Sequence, residues 1–98
     1  MKKFRVWTGS LKEEYLMVLG FDVVGYAEDG QTEFKYSKEI LAANKKLEEN
    51  KKKRLPLEEI EFIKDRDKAL ALVKEGRKLF RVQRDNRNRE RMVYIFIR

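Results

Sequence analysis

Apolar and polar residues alternate through the opening KKFRVWT, which sets Phe4 and Val6 on one face and Arg5 and Trp7 on the other, the pattern of a short half-buried strand. The period then changes. Leu11, Tyr15, Val18 and Leu19 recur at the i, i+4, i+7, i+8 spacing of one helix face. Ser10 with Glu13 three residues on forms an S-x-x-E capping box, and Gly20 is placed to end the helix in a left-handed conformation with Phe21 folding back over the last turn. DVVGYAEDGQTEFKYS predicts a hairpin about Asp29-Gly30, a pair that readily adopts the positive φ of a tight turn.

Ser37 is an N-cap for a second helix with Ile40, Leu41, Ala43 and Leu47 at helical spacing. The apolar face ends near Asn50 and the chain continues as KKKR up to Pro56, whose ring cannot continue a helix. EIEFIKD alternates as a strand does, although PLEEIEFI also suits a helix with Pro56 at its first position. Asp65 caps a third helix through RDKALALVKE, closed by Gly76. RKLFRVQR and RMVYIFIR are then two strands, the last so apolar that both its faces are expected to be covered inside a sheet.

Superposing Gly20 on Gly76, an offset of 56, suggests an internal repeat. Phe4, Val6 and Trp7 then fall on Ile60, Phe62 and Ile63. Leu16 and Met17 fall on Leu72 and Val73, while Val23, Val24 and Tyr26 fall on Leu79, Phe80 and Val82. Three residues inserted in the second turn bring Phe34 and Tyr36 onto Val93 and Ile95. Leu11, Val18 and Leu19 meet Asp67, Lys74 and Glu75, so the two helices would bury different faces. The expectation is an α+β domain with a mainly antiparallel sheet and two to three helices on one face. It is built as a tandem strand-helix-hairpin repeat over residues 3–37 and 59–98, joined by a helix and basic linker at 38–58.

Length and composition agree with one domain. Ninety-eight residues suffice to bury roughly 60–70% of the unfolded surface, and 42% apolar residues argue against disorder although 42% are charged. The absence of cysteine excludes disulfides and thiolate metal sites, and no run approaches the ~20 apolar residues of a membrane helix. A cytoplasmic protein with no membrane partner is expected. Of the net charge of +7, residues 77–98 hold eight Arg or Lys against Asp85 and Glu90, a balance of +6. The first 76 residues are close to neutral.

FRVWTGSLKEEYLMVLGFDVVGY resembles a family of small, functionally uncharacterised strand-helix-hairpin proteins of Gram-positive bacteria and their phages, through Tyr15, Leu16, Met17, Gly20 and Phe21. The resemblance covers about a quarter of the chain. It implies a phage or mobile-element setting, in which the protein would work in a bacterial host cytoplasm, and it implies no chemistry.

Catalysis has little to draw on. Histidine and cysteine are both absent, so the commonest general acid-base group and the strongest nucleophile are missing, and no cofactor motif is present. The acidic cluster Glu58, Glu59, Glu61, Asp65 and Asp67 matches no calcium loop and alternates with Ile60, Phe62 and Ile63 like the wet side of a strand. No enzyme, cofactor or metal site is expected.

The polar run RDNRNRER is the strongest functional candidate. Arg84, Arg87, Arg89 and Arg91 lie within eight residues of one another with Asn86 and Asn88 among them, a mixture suited to bidentate phosphate contact and to base edges. Lys78 and Arg81 would extend the surface. The plain alternative is a charged, solvated hairpin tip partly neutralised by Asp85 and Glu90. Trp7, Tyr26, Tyr36, Tyr94 and Phe96 are either a stacking platform or core aromatics, and KKLEENKKKR is either a phosphate track or an ordinary solvated helix end. Two functions follow: binding of DNA or RNA, or a phage-type inhibitor or adaptor that docks on a bacterial host protein. A homodimer is open if the apolar last strand lies at a sheet edge.

Overall fold

The computed structural model describes residues 2–98. The fold is α+β, with strands β1 (Lys3–Trp7), β2 (Val23–Tyr26), β3 (Gln31–Lys35), β4 (Ile60–Ile63), β5 (Leu79–Arg84) and β6 (Met92–Ile97) and helices α1 (Leu11–Val18), α2 (Lys38–Asn50) and α3 (Arg66–Lys74). All pairings are antiparallel, but the strands divide between two three-stranded sheets, ordered β1-β3-β2 and β4-β6-β5. Each sheet is made from one half of the chain.

The caps show why these helices stop and start where they do. Ser10 Oγ accepts from Glu13 N at 3.1 Å, while the Glu13 carboxylate accepts from Gly9 N at 3.0 Å rather than from the cap residue itself. Ser37 and Asp65 cap α2 and α3 in the same manner. At the other end of α1, Phe21 N donates to Leu16 O and Gly20 N to Met17 O; at the end of α3, Arg77 N donates to Leu72 O and Gly76 N to Val73 O. Both helices therefore close with the same two-bond motif about a glycine at positive φ, 98° for Gly20 and 90° for Gly76. Pro56 leads into a short 3-10 turn, Leu57–Glu59, before β4, so the two readings of PLEEIEFI each describe part of that segment.

The halves share element order, strand order and a β-bulge at the same point, between Val23 and Gly25 in β2 and between Leu79 and Arg81 in β5. Those features keep the offset of 56. The first and last strands of each half do not. Val23 and Phe4 both stand opposite Phe34, and Leu79 and Glu61 both stand opposite Phe96. Phe4 therefore corresponds to Glu61, and Phe34 corresponds to Phe96 rather than to Val93. The hairpin insertion is six residues, twice the length read from the sequence.

One core joins the halves. Val6, Leu16, Phe34, Ile40 and Leu47 cluster with Ile63, Ala69, Leu79, Val82 and Phe96, and α1 packs on β1 of its own sheet and on β5 of the other. The second sheet is also apolar on its far side, where Ile60, Phe80 and Ile95 pack beneath Leu55. Strand β6 is central and buried at Val93, Tyr94, Ile95 and Phe96. Its central place removes the edge pairing that would have left a homodimer open. No helix among the described residues is long and apolar enough to cross a membrane.

Candidate nucleic-acid interface

The tip between β5 and β6 is a built loop. Asp85 N donates to Arg91 O and Arg91 N to Asn88 O, closing it at both ends. The Asp85 carboxylate accepts from Arg87 N at 3.0 Å and lies 3.6 Å from Lys64 Nζ, and Asn88 Oδ1 accepts from Glu90 N at 3.1 Å. The Arg87 amide, opposed by some desolvation and aided by Lys64, holds the Asp85 carboxyl below its ordinary range. Asp85 and Asn88 thus shape the loop through their side chains. Asn88 keeps its amide N–H groups and one oxygen lone pair for a base.

The four loop arginines separate into two kinds. Arg84 is half-buried, with its guanidinium donating to Arg89 O at 3.1 Å and across the molecule to Gly9 O at 2.9 Å. It clamps the loop to the turn before α1. Arg87, Arg89 and Arg91 are exposed, and none takes part in an ion pair among the described residues. Asn86 is exposed beside them. Lys78 stands at the opposite end of β5, about 20 Å away at the rise of an extended strand, so it is not part of this cluster.

Arg81 lies elsewhere again. It pairs with Ile95 and so projects on the far side of the second sheet, its guanidinium carbon 5.8 Å from the Phe80 ring centre and its buried Nε without a hydrogen-bond partner. From here a series of concavities runs in both directions. One, floored by Ile60, Phe80 and Ile95 and walled by Arg54 and Arg81, meets the cleft of Lys64, Asn86 and Arg87 at Phe62 and Gln83. The other way it rounds the edge of β5 past Lys51 and Leu11, then continues between Lys12, Arg5 and Trp7.

Seven cationic side chains line this track, Arg5, Lys12, Lys51, Arg54, Lys64, Arg81 and Arg87, against Asp85 alone. Glu33 and Glu48 pair with Arg5, Lys12 and Lys51 from outside the lining, which leaves an excess of four positive charges. Trp7, 61% exposed, and Phe62, 46% exposed, stand towards its two ends. Adjoining basic clefts that share lining residues thus follow one another over this surface, with Phe62 and Trp7 among them.

Reading the sequence considered Lys51, Arg54, Arg81 and Arg87 but missed Arg5, Lys12, Lys64 and Phe62. Those four come from β1, α1 and the β4 segment, and no local spacing announces their meeting with the others. Of the aromatic residues considered as a platform, Tyr94 and Phe96 are core, while Trp7, Tyr26 and Tyr36 are exposed. The acidic cluster is dispersed: Asp65 caps α3, and Glu61 pairs with Arg77 at 3.0 Å. No family model matches the chain, and neither the curated proteins nor the solved structures include a match to it.

Proposed function

We infer that the protein binds nucleic acid, holding the phosphate backbone along these basic clefts and against the 85–91 loop, with no chemical step of its own. The observation that carries this is the excess of four positive charges over the adjoining clefts that lie between the loop and Trp7. Arg54, Arg81, Arg87, Arg89 and Arg91 are the phosphate ligands, since no ion pair engages them among the described residues and a guanidinium fork suits phosphate oxygens. Arg84 holds the loop in place, Asn86 is the candidate base reader, and Lys78 lies outside the site.

The test is fluorescence anisotropy with labelled DNA and RNA at several salt concentrations. Five phosphate contacts on a single strand give a log-log salt slope of roughly −3.5, and a variant with Arg87, Arg89 and Arg91 changed to Ser should bind more weakly with a slope shallower by about 2. Equal, salt-insensitive binding by both proteins would overturn the reading. A host protein as partner is the second reading, favoured by Leu57, 72% exposed beside Phe62 on the far side of the second sheet.

A further inference from the structure

The cleft on the far side of the second sheet differs from the others. Its floor is apolar, Phe62 presents half of its ring at one rim, and Arg54 and Arg81 stand at the walls with no acidic residue in the lining. Gln83 is common to this cleft and to the two beside it, and its amide, which offers both donor and acceptor, has no side-chain partner among the hydrogen bonds of the described residues. Arg81 Nε is buried here without a partner as well.

On the first sheet the corresponding surface is built differently. Arg5 and Lys3 lie over the Glu33 carboxylate at 2.9 and 3.3 Å, and Gly25, lacking a Cβ, leaves room for it. Opposite charges close that surface upon itself. The second sheet has Phe62 and Ile95 in a cross-strand pair and Arg81 on the other side of Ile95; Leu55 covers the Phe80 and Ile95 floor, so what it presents is the half-exposed Phe62 ring between cations with no carboxylate among them.

We propose that this cleft is a stacking station for an unpaired base, which lies on the exposed face of Phe62 while its phosphate meets Arg54 and Arg81 and Gln83 bonds its edge. The proposal rests on the nucleic-acid reading above and adds to it a strand preference. A base inside a duplex is already stacked and cannot turn its face to the Phe62 ring, whereas an unpaired base offers that ring a flat face and its phosphate to arginine. An acidic peptide could satisfy Arg54, Arg81 and Gln83, but its carboxylates offer the Phe62 ring no flat face to stack on.

The experiment compares a labelled 12-nucleotide oligo(dT) and oligo(U) with a 12-base-pair duplex, using the wild type, Phe62→Ala and Phe62→Trp, each first shown to unfold at an unchanged urea midpoint. Losing one stacked base is expected to weaken single-strand binding by about 5- to 150-fold in Phe62→Ala, with recovery in Phe62→Trp and less than about 2-fold change on the duplex. Equal affinity for single and double strands, unmoved by Phe62→Ala, would overturn the stacking station and leave the phosphate grip standing. Equal losses on single strand and duplex would also overturn it. Absence of binding to all three oligonucleotides would overturn both readings.

Discussion

Arg84 and Arg87 are three residues apart and alike in sequence, yet one donates to two backbone carbonyls and the other faces solvent. Nothing in RDNRNRER separates them, because the Gly9 carbonyl that engages Arg84 comes from the other half of the chain. Asn50 shows the same limit. It looks like the last polar residue of a fraying helix, but it is buried and its amide donates to Phe80 O at 2.9 Å, at the bulge of β5. Asn50→Ala is therefore expected to cost about 1–3 kcal/mol in a urea titration, the penalty of an unsatisfied buried carbonyl, whereas Lys52→Ala next to it should change stability by less than about 0.5 kcal/mol. Tyr94 gives a pH signature. Burial first, and then its 2.6 Å hydrogen bond to Glu14, raise its hydroxyl pKa above the ordinary 10.0. The folded state then keeps a proton that the unfolded state releases, so stability must fall as pH rises past about 10. Urea midpoints between pH 8 and 11.5 should decline in the wild type and decline less steeply in Tyr94→Phe.

At the scale of elements the sequence was legible wherever one local pattern decides the outcome: the three helices with their caps, the Asp29-Gly30 hairpin and the buried last strand all lie where periodicity and turn chemistry put them. The repeat was legible as an order of elements and misaligned in its first and last strands. The reason is a change of chemistry. Phe4 and Phe21 of the first half correspond to Glu61 and Arg77 of the second, two apolar side chains in one place and an ion pair at 3.0 Å in the other. Aligning apolar residues slides β4 by one position, which exchanges its faces. This correspondence predicts that Glu61→Phe alone destabilises the protein, by leaving Arg77 without its carboxylate. Glu61→Phe with Arg77→Phe should bring stability back to within about 1 kcal/mol of the wild type, since a half-exposed ion pair contributes little that a packed apolar pair does not replace. Denaturation of the two single variants and the double variant measures the coupling.

For the whole molecule, the division of the strands into two sheets raises the question of whether the halves are independent. Nothing in the pairing of strands joins them, for each sheet is complete within its own half. The link is α1. Leu16 has no exposed surface and belongs to a cluster that includes Phe34 of the first sheet and Leu79 and Phe96 of the second, and Glu14 on the same helix reaches Tyr94 of β6 and Arg66 of α3. The run of clefts depends on the same junction, because it passes from the β5 edge to the start of α1 and Arg84 spans that gap. A truncation at Leu16 should thus weaken both sheets together. Leu16→Ala is expected to lose about 2–5 kcal/mol, the range for a large side chain removed from a closed core. Trp7 fluorescence, reporting the first sheet, and amide exchange in β6, reporting the second, should move by the same free energy. If only the Trp7 signal shifted, the halves would be separate folding units, and clefts shared between them would have no rigid frame.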